Sequence, residues 1–219
     1  MSRIPRHFPQ EGVFHVLARG NNRASIFHQP ADYLAYTGIF RNTVKEFPIS
    51  LHHYCLMPNH IHLLLSAGPP ASVLSDFMRR VQLSYTIYYK AHHEHIGHLW
   101  QDRYKCLWID SERYFFTCGA YIELNPVVAG LVRETGEYVF SSYRHYALGV
   151  TDSCITPHFL YEQMGSTPQR RQEAYRALVV ERMLHREEDQ FSVGFQIGQP
   201  GRPSQKRDRS VPVPISFGR

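Results

Sequence analysis

The sequence predicts an α+β domain. Apolar periodicity runs strand, helix, strand, strand, helix, strand along the first half of the chain. The two middle strands are joined tightly at Pro58-Asn59. One more helix follows the last strand. With 219 residues, 43% of them hydrophobic, the chain can form one substantial domain plus appendages.

The first strand is Gly12 to Ala18, a run of mostly apolar residues. Asp32 to Phe47 repeats apolar residues at helical spacing, with Tyr33, Tyr36, Ile39, Phe40 and Val44 as inward positions. Ile49–Met57 and His60–Ser66 follow as strands. A second helix runs from Pro70 to about Tyr89, with Val73, Phe77, Val81 and Tyr85 on one side. Leu99 to Ile109 reads as the next strand. The helix after it begins at Ser111, a plausible N-cap with Glu112 and Arg113 behind it, and should end or bend at Asn125 because Pro126 follows. Beyond residue 150, 157–164 and 168–188 read as helices. From 191 onward, Gly, Pro and basic residues dominate, a composition expected to stay disordered when unbound. The implied organisation is 1–150, a 151–190 helical extension and a 191–219 basic tail.

Within the third strand, His60-Ile61-His62 is flanked by apolar residues on both sides. Residues two apart on a strand share a face, so both imidazoles project together, roughly 7 Å apart at the backbone. Burying two unpaired polar rings costs free energy. A shared metal ion or phosphate would offset it; the alternative is a pair of satisfied core histidines. On the following helix, Tyr121 and Asn125 are four apart and share a face. They offer a phenol, a possible nucleophile, and an amide oxygen, a possible ligand for a hard cation. The bland reading there is a core tyrosine and a C-terminal Asn cap. Taken together, the two groups make a site for metal-assisted phosphate chemistry.

Four segments together resemble the single-tyrosine transposases of the HUH class, and more narrowly the REP-associated tyrosine transposases. They are Ala18-Arg19-Gly20-Asn21-Asn22-Arg23, Leu56-Met57-Pro58-Asn59-His60-Ile61-His62-Leu63-Leu64, Gly97-His98-Leu99-Trp100-Gln101-Asp102-Arg103-Tyr104-Lys105, and Tyr121 through Val132. Ser141-Ser142-Tyr143 closes the match, which covers roughly residues 10 to 146. The resemblance implies a ferredoxin-like antiparallel sheet with helices on one face. It implies that Tyr121 is the nucleophile and that His60, His62 and Asn125 hold a divalent cation. Related transposases of smaller elements have Gln where this chain has Asn125; both supply an amide oxygen. The implied partner is single-stranded or hairpin DNA of a repeated palindrome, cut through a 5′-phosphotyrosine intermediate. Two imidazoles and one amide oxygen suit Mg²⁺ or Mn²⁺, and Mn²⁺ tolerates imidazole better.

Charge agrees with a polyanionic partner. The formal net charge is +5, distributed as +4 over residues 1–110, −3 over 111–190 and +4 over 191–219. Arg103 and Lys105, alternating on the predicted strand, would share a face and contact phosphates, or else be ordinary surface charge. Arg19, Asn21 and Arg23 would read a hairpin or form a polar turn. In the tail, Gly201-Arg202-Pro203 resembles an AT-hook, whose Arg202 would enter a minor groove; a flexible solubilising tail is the other reading. His92, His93, His95 and His98 form a second histidine cluster, placed in a loop and outside the metal site. Tyr88 and Tyr89 are candidate base-stacking platforms.

No apolar run reaches about 18 residues, so no membrane span is expected, and the first residues lack the apolar stretch of a signal peptide. Cys55, Cys106, Cys118 and Cys154 form no Cys-x-x-Cys pair and read as reduced cytoplasmic thiols. A monomer is favoured over a dimer, since the C-terminal extension would cover the surface a dimer needs. The function classes in competition are a DNA-cleaving and rejoining enzyme, a DNA-binding protein of repeats that has lost cleavage, and a phosphoesterase that uses water.

Overall fold

A computed structural model describes residues 11–70 and 72–185. The N-terminal ten residues and the tail from 186, with Arg202 and its AT-hook-like segment, lie outside the described residues. Four strands, β1 (Gly12–Arg19), β2 (Ile49–Met57), β3 (His60–Ala67) and β4 (Lys105–Ile109), form one sheet in the order β2-β3-β1-β4. Every pairing is antiparallel. Helix α1 (Pro30–Val44) connects β1 to β2, and α2 (Val73–His92) connects β3 to β4. This is the βαββαβ ferredoxin-like arrangement.

The strands sort their side chains by period two. Phe14, Val16 and Ala18 of β1 and Ile61, Leu63 and Leu65 of β3 share a buried core with Tyr33, Tyr36 and Phe40 of α1 and Phe77, Val81 and Tyr85 of α2. The two crossover helices therefore share one face of the sheet. The opposite face, carrying His15, His60 and His62, is covered by the next helix, α3 (Glu112–Val128), which leaves helices on both sides. A register shift between Leu51 and His53 in β2 reverses the strand's parity. Leu51, Tyr54 and Leu56 all reach the α1–α2 core, and the extra residue turns both His52 and His53 away from it.

Beyond α3, a short α4 (Tyr143–Leu148) escapes sequence reading, and α5 (Phe159–Gln163) and α6 (Pro168–Leu184) follow. Tyr175 and Val179 of α6 bury themselves with Ala120 and Leu124 of α3 and Tyr146 of α4. Helix α3 is thus held between the sheet and the C-terminal helices. Residues 140–142 run along the outer edge of β2, where Leu56 N donates to Phe140 O at 2.9 Å and Ser142 N to Tyr54 O at 3.0 Å. That cover removes one exposed sheet edge.

Three of the boundaries that differ from the sequence expectation concern candidate functional residues. The strand predicted from Leu99 begins only at Lys105. Residues 101–103 bend instead, and Arg103 N donates to the Asp102 carboxylate at 2.9 Å, a local bond that competes with the ladder. Arg103 therefore lies outside the strand and does not share a strand face with Lys105. Helix α2 extends to His92, so that residue is helical rather than in a loop. Helix α3 passes through Pro126 and stops at Val128, with Gly130 in the left-handed conformation at φ 69°. Leu131 N donates to Pro126 O at 2.9 Å and Gly130 N to Val127 O at 3.0 Å, the paired bonds of a Schellman stop.

Candidate active site

The site lies on the α3 face of the sheet. His62 stands opposite Leu17 of β1 and Cys55 of β2, and His60 opposite Arg19 and Met57. Directly opposite residues in an antiparallel pair share a face. Leu17 is in turn opposite Lys105 of β4. One row therefore reads Cys55, His62, Leu17, Lys105, and the next reads Met57, His60, Arg19. Arg19 and Lys105 flank the histidines on their own face. Lys105 is exposed and Arg19 half-buried.

The His60 and His62 rings are 5.0 Å apart between centroids. Above them, the Tyr121 ring of α3 stands 6.0 Å from His62, edge to face. His15, diagonally across from His62, is a third ring that sequence reading missed. Its Nε2 lies 3.0 Å from His62 Nδ1, and its centroid is 6.1 Å from Tyr121. It is fully buried, as is His62, while His60 is 8% exposed and marks the open side of the group. The only sequence signal for His15 is one polar residue inside an apolar strand.

Burial holds all three imidazoles in their uncharged form. Desolvation lowers His15 to a pKa of about 3, and desolvation with the Arg19 charge lowers His60 to about 4. His62 is also lowered, by desolvation first and then by His60, His15 and Arg19. Among the described residues no cluster of three or more His, Cys, Asp or Glu is arranged to hold a metal.

Asn125 carries an amide one turn after Tyr121. Pro126 has no N–H, so the Ile122 carbonyl loses its helical donor. Asn125 Nδ2 replaces it, donating to Ile122 O at 3.1 Å and to Tyr121 O at 2.9 Å. The nitrogen end of the carboxamide is committed to the helix, which leaves Oδ1 as the end turned away from it. His62 Nε2 is buried and has no hydrogen-bond partner. A buried lone pair without a donor, beside a second neutral imidazole, fits a divalent cation.

Of the other predicted contacts, Asn21 and Arg23 lie in a 3₁₀ turn after β1, where Asn22 and Arg23 adopt positive φ of 50° and 60°. Asn21 N donates to Leu99 O at 2.8 Å. Arg23 and Arg103 are exposed. Tyr89 is buried, its hydroxyl 2.8 Å from His28 Nε2, which removes it as a stacking platform. Tyr88 donates to Asp32 at 3.2 Å and stacks on His92 with centroids 4.2 Å apart. His93 also contacts Asp32, at 2.9 Å, so part of the second histidine cluster is a structural tie between α1 and the end of α2.

The inner strands β1 and β3 thus carry the histidines and α3 carries the tyrosine above them. The chain belongs to the family described as "Transposase IS200 like", whose model matches residues 10–125. Among solved structures it is similar to a REP-associated tyrosine transposase bound to a REP hairpin. That match has 18% identity and a TM-score of 0.59, and covers 72% of this chain and 93% of the other. A putative transposase from Deinococcus radiodurans R1 matches at 22% identity and a TM-score of 0.39, covering 56% of this chain and 96% of that one. No curated protein matches the chain.

Proposed function

We propose that this protein cuts and rejoins single-stranded DNA, with Tyr121 as nucleophile and His60, His62 and Asn125 as ligands of a divalent cation, Mg²⁺ or Mn²⁺. The observation that carries this reading is the placement of the Tyr121 ring 6.0 Å from His62, over a pair of neutral imidazoles. Family membership supports transposase-type action on DNA. The REP hairpin in the similar structure points to a hairpin substrate.

The Tyr121 oxygen gives up its phenolic proton to water as it attacks the scissile phosphorus. A phosphotyrosine O–P bond forms, the bond to the 3′ oxygen breaks, and that oxygen leaves as a 3′-hydroxyl after taking a proton. The DNA 5′ end stays on the protein. The covalent link keeps the energy of the cut bond, so a second 3′-hydroxyl reverses the step without ATP. A bound cation would polarise the phosphate's non-bridging oxygens and stabilise the charge that develops on them. Arg19 and Lys105, flanking the histidines, hold the phosphates on either side. Asn21, Arg23 and Arg103 extend the polar surface toward the hairpin, and Arg202 would add a minor-groove contact from the tail. Helix α6, packed over α3, favours a monomer as the working form. Among the described residues no helix is long and apolar enough to cross a membrane.

One gel tests the reading: a hairpin oligonucleotide with Mn²⁺, resolved for a covalent protein–DNA product. Wild-type protein should form the adduct. Tyr121→Phe should retain hairpin binding and form none, and an adduct surviving that change would reassign the nucleophile. His60→Ala should lose metal-dependent cutting. Hairpin binding by the wild type with no adduct would favour a DNA-binding protein that does not cleave.

A further inference from the structure

From the hydrogen bonds around the two histidines we infer that His15 and Asn59 are positioning residues that accept the Nδ1 protons of His62 and His60 when both rings present a bare Nε2 to a divalent cation. The inference rests on the metal-dependent reading above and deepens it.

Each imidazole is held through Nδ1. His60 Nδ1 lies 2.6 Å from Asn59 Oδ1. The orientation of Asn59 is set independently, because its Nδ2 donates to Arg23 O at 3.1 Å. The end facing His60 must then be the carbonyl oxygen, which only accepts. His60 therefore carries its proton on Nδ1 and a lone pair on Nε2. The left-handed turn at Asn22 and Arg23 lies in the segment that supplies the Arg23 carbonyl. That gives the strained turn a role in the site.

His62 has its partner across the sheet. Its Nδ1 is 3.0 Å from His15 Nε2, and its Nε2 is buried without a hydrogen-bond partner. Either ring can donate in that bond, so the pair admits both tautomers. A cation at Nε2 takes the lone pair there, which leaves the His62 proton on Nδ1, donated to His15 Nε2. Ligating histidines are commonly fixed in this way through the other ring nitrogen, and loss of such a partner typically weakens metal binding about 10- to 100-fold.

The test is Mn²⁺ titration of the full-length protein without DNA, followed by calorimetry and by the Mn²⁺ electron-spin signal. His15→Phe and Asn59→Ala should each weaken Mn²⁺ by about 10- to 100-fold. His15→Gln and Asn59→Asp, which keep an acceptor, should recover most of the affinity. If wild-type protein binds Mn²⁺, His60→Ala abolishes binding, and both His15→Phe and Asn59→Ala bind like wild type, the positioning roles are refuted while the metal reading stands. If wild-type protein binds no Mn²⁺ at all, the metal reading falls and takes this inference with it. A second measurement needs no variant: long-range ¹H–¹⁵N correlation should show His60 protonated at Nδ1 in the metal-free protein and both His60 and His62 protonated at Nδ1 with Mg²⁺ bound. An Nε2–H signal on His60 in the metal-free protein, or on His62 with Mg²⁺ bound, would overturn the assignment for that ring.

Discussion

Two buried histidine groups lie on the same sheet face under the same helix, and they are built in opposite ways. In the first, His53 of β2 lies 3.0 Å from Glu123 of α3. Ser142 donates to the same carboxylate at 2.5 Å, and Tyr175 of α6 donates to its other oxygen at 2.8 Å. No buried polar atom of that group appears without a partner among the described residues. In the second, His15 bonds His62 and Asn59 bonds His60, and His62 Nε2 is left without a hydrogen-bond partner. The closed group ties β2, α3, the 142 turn and α6 together. The open group leaves one imidazole nitrogen without a partner. Saturation marks the joint and deficiency marks the proposed site, although both look alike as buried histidines on apolar strands.

Breaking the closed group should have the largest effect on stability. Glu123→Ala removes the acceptor shared by His53, Ser142 and Tyr175; Ser142 keeps Tyr54 O at 3.2 Å, and each donor left stranded costs about 1–3 kcal/mol. Urea unfolding should show a loss of about 3–5 kcal/mol, comparable to breaking a buried pair. A loss under 1 kcal/mol would mean that the group carries no such load. Gly119→Ala comes next. A Cβ at 119 would sit 2.9 Å from the His53 ring, itself clamped by Glu123, so overpacking should cost about 1–3 kcal/mol. Tyr175→Phe deletes one bond to the carboxylate and should cost about 1.5–3 kcal/mol, read from the same unfolding curves.

The open group should respond more weakly. His62→Leu removes an unpartnered Nε2 but also strands His15 Nε2. Measured with a chelator present, stability should fall by no more than about 1–2 kcal/mol, because the two effects partly offset. Mn²⁺ binding should disappear. A loss approaching that of Glu123→Ala would place both groups in the same structural role. The smallest effect is on pH dependence. His15 and His60 have folded pKa values of about 3 and about 4, below the unfolded value of about 6.5. Their neutral burial is fully compatible with folding above pH 6.5. As pH falls below that value the unfolded chain takes up protons first, and stability is lost progressively down to about pH 3. His15→Leu should flatten that slope in urea midpoints taken between pH 7 and 4.

What the sequence shows clearly is what repeats at short period. Strand β2 matches its predicted bounds, and β3 ends one residue beyond its own, because apolar residues crowd both around a two-residue turn. The convergence of His60, His62 and Tyr121 could be expected once the segments were joined by resemblance. His15 was hidden because a diagonal neighbour across two strands leaves no mark at fixed sequence spacing. Glu123 read as an unremarked helix residue, although it binds groups 19, 52 and 70 positions away. The late start of β4 followed from a side chain, Asp102, capturing a main-chain N–H that the ladder would have used. The true end of α3 was written in Gly130, but Pro126 gave the louder and misleading signal.

The proline at 126 has a consequence for how this helix can be re-engineered. Because the Asn125 amide stands in for the missing main-chain donor, the two positions work as one unit. Restoring an N–H at 126 by Pro126→Ala would mend the helix and at the same time release the carboxamide to rotate. A change that stabilises the scaffold would then blunt the tool mounted on it. Optimising this helix for thermal tolerance alone would select against the orientation of its own amide oxygen.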